Sequence, residues 1–499
     1  MGTLGRSDRL PGDYRPDEGT PARGGLVRAL TGFGNWAMTY SGIGVSAGLF
    51  ELFGFSFGFS GPAMIWGWPL VAVGTLTVVL MWAELSSHYP YAGVMYKWPT
   101  ILGGGTTGWF TGWLYLFANI ALATSSFAVV WLGFVPLLGL TYTVKLGVLM
   151  ALLTLVVCAA LNLIGIKLLG PLTERAVLLE LTVVGLVLIL LLIFGHHNSP
   201  AIYVSSAGTG ATFGKWLPGF LGGGMFVALW VFYFFETAGT LGEETLTASK
   251  NAPRAVMRSF IATFIVGGLT LLVFILAIPH VGAAMKSSSP IVYIIDAALP
   301  GAFGKIYLAV ICLVILLGAN VAFTAATRHM YSMARDNQLP FSSFLSRTRP
   351  GAGVPWASVI VVAVISAIPF IASQSFAVIV TGATAFFYAI YFGVMVVTLR
   401  ARLRGWPREP APFSLGKWGI PVNIIAVVWT GVMAVNLFWF RAATNPVFGG
   451  LHVAFWMVGA PLAVGLAYWA LVQRRRLHEA ARVPAETGAT EASATGAEG

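Results

Sequence analysis

Apolar stretches of about 20 residues, the length that crosses roughly 30 Å of hydrocarbon as a helix, follow one another along most of this chain, separated by short polar segments. They predict twelve membrane spans, at residues 31–55, 61–85, 108–138, 144–166, 171–195, 217–241, 257–279, 304–332, 356–373, 376–399, 421–440 and 451–473. The alternating ten-residue strands of a membrane barrel are absent from the pattern. The fold class expected is therefore an all-α polytopic membrane protein. Residues 1–28 and 477–499 are polar and low in complexity, and too few of their residues are apolar to fold alone. They are expected to be disordered tails on either side of a membrane domain at 29–476.

Composition agrees with this pattern. Hydrophobic residues make up 57% of the chain and charged residues 9%, where soluble domains carry about a quarter charged. The net charge of +11 points to topology and not to nucleic acid, because its placement follows the positive-inside rule. With an inside N-terminus, only Lys145, Lys215, Lys286, Lys305 and Arg441 of the 29 Lys and Arg residues fall outside. Both termini are thus expected in the cytoplasm, in an integral plasma-membrane protein. The apolar run starting near Thr31 follows a polar, Arg-bearing segment, so no cleavable leader is expected. Cys158 and Cys312 fall inside spans and read as small apolar fillers. His196-His197 lacks further ligands, so neither a metal nor a cofactor is expected.

Two spans carry interruptions. Span 1 contains Tyr40-Ser41-Gly42-Ile43-Gly44-Val45-Ser46-Ala47-Gly48. Span 6 contains Leu221-Gly222-Gly223-Gly224 and then Phe235-Glu236-Thr237-Ala238-Gly239-Thr240. Glycine costs nearly 1 kcal/mol relative to alanine in a helix, so a mid-membrane Ser-Gly-x-Gly cluster is a place to unwind. Spans 1 and 6 are five apart, the spacing of an inverted five-plus-five repeat with broken first helices. A carboxylate inside a membrane span costs a few kcal/mol at the helix centre, which makes Glu236 a functional candidate in its own right.

Several motifs then converge. They are Ser41-Gly42-Ile43-Gly44; Gly61-Pro62-Ala63-Met64-Ile65-Trp66-Gly67-Trp68-Pro69 opening span 2; and Ala83-Glu84-Leu85 closing it. Tyr91-Ala92-Gly93-Val94-Met95-Tyr96 follows in the first inner loop, and Asn162-Leu163-Ile164-Gly165 after span 4. Phe235-Glu236-Thr237 with Gly242-Glu243-Glu244-Thr245, and Ala334-Arg335-Asp336-Asn337-Gln338-Leu339-Pro340 after span 8, complete the set. In order and placement the chain resembles the amino acid–polyamine–organocation (APC) superfamily, within it the amino acid/choline transporter branch, over roughly residues 30–475. The resemblance implies twelve helices and a LeuT-like 5+5 inverted repeat in spans 1–10, with spans 11 and 12 accessory. It also implies alternating access as a secondary transporter for amino acids, choline-like cations or polyamines. In that branch the position of Glu236 is more often Asp, preceded by Tyr; here the pair is Phe235-Glu236.

The candidate substrate site is Ser41, Gly42, Ile43, Gly44, Trp230, Phe235, Glu236 and Thr237. A zwitterionic amino acid in a dry pocket needs partners for both charges. The N–H groups at the start of a half-helix can hold the carboxylate, and the freed C=O groups of the other half the ammonium or a cation. The same glycines would equally serve close helix packing. Glu236 has three readings: it titrates and carries a proton, it pairs with a cationic substrate group, or it is a hydrogen-bond hub that holds span 6 unwound. By resemblance Trp230 is an aromatic lid, with lipid-interface or core packing the other reading. Phe323 is a pocket-wall candidate. Coupling-ion candidates are Glu236, Glu180, Thr324 and Thr327, the threonines as sodium ligands between spans 1 and 8. Some proton-coupled relatives carry a mid-membrane lysine on span 5, and this chain has none. Glu243, Glu244, Arg254, Arg335 and Asp336 stand at the cytoplasmic rim as gate candidates. The partners expected are a small organic amine or amino acid, a proton or sodium ion, and the bilayer. Proton-coupled symport or exchange is the mode expected; a choline, GABA or polyamine carrier of the same fold, a non-transporting sensor and a channel are the alternatives. A pump is disfavoured by the lack of a G-x-x-x-x-G-K-[ST] loop, and a membrane enzyme, the second rival, by too few convergent catalytic groups.

Overall fold

The computed structural model describes residues 26, 28–138, 140, 143–287, 289–299, 301–349, 353–372, 376–439, 447–448 and 451–476. The tails expected to be disordered lie, apart from residues 26 and 28, outside the described residues. Helices account for nearly all regular structure. In chain order they are α1 Gly32–Ile43, α2 Val45–Ser60, α3 Gly67–His88, α4 Val94–Gly103, α5 Gly105–Leu137, α6 Val144–Ile164, α7 Ile166–Phe194, α8 Phe213–Gly219, α9 Phe226–Val231 and α10 Thr237–Thr240. There follow α11 Ala248–Leu276, α12 Val281–Lys286, α13 Pro290–Ala298, α14 Phe303–Arg335, α15 Ser342–Leu345, α16 Trp356–Ala372, α17 Phe376–Leu403, α18 Gly419–Phe438 and α19 Val453–Tyr468. A two-residue antiparallel pair, Val447–Phe448 with Leu451–His452, precedes α19. Among the described residues, eight helices are long and apolar enough to cross a membrane.

Helix ends run past the apolar windows read from the sequence. Span 7 was placed at 257–279, but α11 starts at Ala248 and carries Lys250, Pro253 and Arg254 in its first turns. The first inner loop likewise becomes helical at Val94, after Gly93 at φ 81°. Hydropathy reports where hydrocarbon ends, whereas the backbone ladder continues into water for as long as its own hydrogen bonds allow. At 33 residues each, α5 and α14 are about 50 Å long, longer than the hydrocarbon layer. On α7, Leu178, Leu186, Ile189 and Ile193 are more than half exposed. An apolar belt of that kind is stable only against lipid or a partner.

The centre of the bundle is made by α1, α2, α9 and α10. α1 packs against α11, α7 and α14, and α2 against α9. α5, α14, α3 and α17 close around them, while α18 lies on α17 and α3, and α19 on α17 and α5. Thr31 caps α1 by accepting from the Gly34 N–H at 3.0 Å, which replaces one of the helix's orphan partners. α1 and α2 are parts of one span divided at a single residue, Gly44, in the left-handed conformation at φ 63°. Ser41, Gly42 and Ile43 remain in the last turn of α1, so the break is narrower than the Ser-Gly-x-Gly motif suggested. Left-handed backbone costs a non-glycine residue roughly 1–2 kcal/mol.

Span 6 corrects the reading further. Its triple glycine does not end the helix; Phe220–Gly224 forms a π-helical turn. The interruption falls instead in the aromatic run between Val231 and Thr237. Phe234 sits there at φ 71°, a conformation bulky side chains rarely hold without being over-determined by packing.

α2 meets α9 through Gly48. A methyl group built on Gly48 would come within 2.8 Å of the Val231 Cγ2 and 2.9 Å of the Trp230 Cδ1. Gly48→Leu should therefore lower thermal stability of the detergent-purified protein by about 1–3 kcal/mol through overpacking. An unchanged melting curve would show that the two half-helices do not depend on this close approach.

Candidate functional site

The two breaks lie against each other. A methyl on Gly42 would meet the Phe234 ring at 3.0 Å and the Val321 Cγ1 at 2.8 Å, so the residue that bends span 6 rests directly on the last turn of α1. Ser41, Ile43, Trp230, Phe235, Glu236 and Thr237 are all buried beside this contact. Their roles differ. Phe235 packs edge-on against Phe260 of α11, with centroids 5.8 Å apart. Phe234, left-handed at φ 71°, is the ring that rests on Gly42. Trp230 packs on Gly48 and forms a T-shaped pair with Tyr233, at 5.3 Å. Phe323 is buried and packs towards Phe127, with centroids 6.1 Å apart.

Glu236 is fully buried. Each of its oxygens accepts a phenolic hydroxyl: Tyr115 of α5 donates to Oε1 at 2.8 Å and Tyr391 of α17 to Oε2 at 2.5 Å. The Tyr391 oxygen in turn accepts the Phe234 N–H at 3.0 Å. One hydroxyl thus satisfies both a carboxylate and a backbone donor freed by the break. Nearby, His329 of α14 stacks edge-on against Tyr115 at 4.9 Å and bonds the Gly112 carbonyl through Nε2 at 2.9 Å. Among the described residues, the His329 Nδ1, Thr237 Oγ1 and Asn119 Oδ1 are buried without a protein partner. Buried polar atoms of this kind call for water or ligand.

Glu180 of α7 lies on another side of the span 1 break and accepts the Ser46 hydroxyl at 2.6 Å. Ser46 is the second residue of α2, so this acid is tied to the start of the half-helix. Thr324 donates to the Asn162 Oδ1 at 2.9 Å and to the Asn320 carbonyl at 2.8 Å. Thr327 donates to the Thr324 carbonyl at 2.7 Å, and its hydroxyl accepts from Arg328 at 3.3 Å. The same guanidinium also donates to the Asn162 Oδ1 at 3.3 Å.

The rim residues find partners that the sequence had not named. Glu244 and Arg328 form a buried two-point pair, at 3.1 and 3.3 Å. Glu243 and Arg335 form a second two-point pair, partly exposed, with both distances 2.9 Å, and Glu243 also accepts the Ala92 N–H at 3.1 Å. Asp336 takes the Lys97 ammonium and the Tyr96 hydroxyl. Arg254 does not join this network; it lines a surface hollow with Lys250, Arg258 and Phe413. Glu84, buried at the end of α3, holds Arg402 and the Leu415 N–H. Arg328, Tyr115, Tyr391 and Lys97 went unmarked in the sequence. So did Glu51, a further acid inside a span, on α2. For Arg328 and Glu51 a signal was available: each is an ionisable residue within an apolar run.

The architecture is that of a helical, multi-pass membrane transporter whose two interrupted helices meet in the middle of the bundle. The sequence model of the amino acid permease family matches residues 33–464, and the chain belongs to that family. It is a transporter and not an enzyme. A Macrophomina phaseolina protein named as an amino acid/polyamine transporter is 28% identical over 75% of this chain and 86% of its own length. The amino-acid permease BAT1 of Arabidopsis thaliana is 25% identical, covering 89% of this chain and 91% of its own. The choline transporter of Saccharomyces cerevisiae is 25% identical over 94% and 86%.

Tyr391→Phe isolates the hydroxyl at the break. It leaves the Phe234 N–H without its acceptor and Glu236 short of one donor. A loss of about 1–3 kcal/mol of stability is expected, the cost of an orphaned buried polar group, read from thermal unfolding. A melting curve equal to wild type would mean that water replaces the hydroxyl fully.

Proposed function

We propose that the protein is a secondary transporter carrying amino acids or related organic amines across the cytoplasmic membrane by alternating access, driven by proton symport or working as an exchanger. The observation that carries this reading is the packing of the Gly44 break against the Phe232–Glu236 break. There, backbone groups and an acid face each other inside the bundle. In this reading residues 29–476 form the transport domain, with twelve spans. The first ten are a five-plus-five repeat and the last two accessory, and both termini are cytoplasmic. Ser41, Gly42, Ile43, Gly44, Trp230 and Thr237 contribute to the substrate site, and the ion pairs of Glu243 and Glu244 form the inner gate. The names of the relatives support amino acids, polyamines and choline as the substrates to test.

Glu236 is the proton carrier in this scheme. Its two tyrosine donors stabilise the anion, while its burial opposes the charge, so small changes around the break shift the balance between the two forms. Arg328 beside Thr324 and Thr327 favours a proton over sodium as the coupling ion.

Purified protein in liposomes, offered amino acids, GABA, choline and polyamines under proton or sodium gradients, tests the proposal. A one-unit pH gradient supports about tenfold accumulation by one-proton symport, since a factor of ten is about 1.4 kcal/mol. Glu236→Gln should abolish that accumulation while leaving exchange at equal concentrations. Accumulation by Glu236→Gln at the wild-type level would remove the proton role, and no flux of any organic amine by the wild type would overturn the transport reading.

A further inference from the structure

Of the acids near the two breaks, Glu236 and Glu180 are held by hydroxyl donors. Glu51 differs from both. Among the described residues it has neither a hydrogen-bond donor nor a cation beside it, although it sits well inside an apolar half-helix, seven positions after Gly44. Its side chain is only partly exposed, on a half-helix that is otherwise apolar. A carboxylate kept there without a counter-charge is costly, and a cationic ligand removes that cost.

The surroundings of Glu51 fit such a ligand. Glu51 is one turn beyond Gly48 on the same face of α2, and Gly48 is the point where Trp230 touches that helix. Trp230 pairs with Tyr233 at 5.3 Å, and Tyr233 with Phe387 of α17 at 4.9 Å. Tyr233 lies within electrostatic reach of both Glu51 and Glu236. Aromatic faces attract alkylammonium and quaternary ammonium groups through the ring quadrupole, most strongly where water is excluded.

We propose that Glu51 and the rings of Trp230, Tyr233 and Phe387 form the binding site for the positively charged head of an organic amine, an alkylammonium or quaternary ammonium group, with Glu51 and not Glu236 as its counter-charge. This rests on the transport reading above and names the substrate class it favours. Glu236, with a donor on each oxygen, is left to the proton, and the two acids divide the charges between them.

The test is equilibrium binding of radiolabelled choline, putrescine and leucine to the full-length purified protein, alongside uptake of the same compounds in liposomes. Wild type should bind choline or putrescine, and Glu51→Gln should weaken that binding about tenfold or more with less than a twofold change for leucine. Trp230→Leu, checked for an unchanged melting curve, should weaken cation binding several-fold and provides a second reading should Glu51→Gln fold poorly. The inference is overturned if wild type binds neither cation, or if either folded variant binds it as wild type does. Wild-type uptake of leucine alone would overturn this inference and leave the transport reading standing. Glu51-dependent cation binding without any uptake would do the reverse.

Discussion

Every backbone group released inside a membrane must find a partner within the protein, because hydrocarbon offers none. The break in span 6 meets this constraint through the Tyr391 hydroxyl, which accepts from the Phe234 N–H and donates to Glu236. The rest of the site follows from it. Glu236 can be buried because Tyr391 and Tyr115 donate to it from two different helices, α17 and α5. Phe234 can hold a left-handed backbone because its N–H is satisfied and its ring rests on Gly42. The acid and the break therefore depend on each other: removing either would strand polar groups of the other.

How much of this was legible in the sequence depended on the kind of signal. Apolar windows located the long helices but not their ends, since burial in lipid demands composition and the backbone ladder runs on into water. Gly44 was legible because only glycine adopts its backbone angle at low cost. In span 6 the second of the two interruptions expected, at Glu236, adjoins the observed break, whereas the triple glycine stays helical. No glycine marks residues 232–236; the bend is imposed by packing around Phe234, which local propensity cannot reveal. Glu236 stood out as a charge in an apolar run. Its tyrosine donors did not, because 121 and 155 positions separate them from it and tyrosine is unremarked in a membrane sequence rich in aromatics. Arg328 and Glu51 satisfied the same criterion as Glu236 and were passed over, although the physical argument applied to them equally.

The rim shows a different economy of charge. Glu244 with Arg328, and Glu243 with Arg335, join the end of span 6 to α14. The first pair is buried and the second partly exposed. A buried pair adds little net stability, but breaking it leaves an uncompensated charge and costs several kcal/mol. The acids of both pairs and Glu236 lie on the same short stretch, Glu236–Glu244.

The stretch before α1 is stitched to the stretch after α10. The Ala29 and Leu30 N–H groups donate to the Glu244 carbonyl at 3.0 and 2.9 Å, and the Leu246 N–H returns to the Leu30 carbonyl at 2.9 Å. The Asn35 amide reaches the Ala238 carbonyl at 3.0 Å and the Thr245 hydroxyl at 2.8 Å. In mechanical terms this removes a degree of freedom. The lower segments of the two interrupted spans cannot swing separately without tearing this seam, so Gly44 and the Phe232–Glu236 bend become two pivots of one lever. A displacement at one pivot is carried to the other through these bonds.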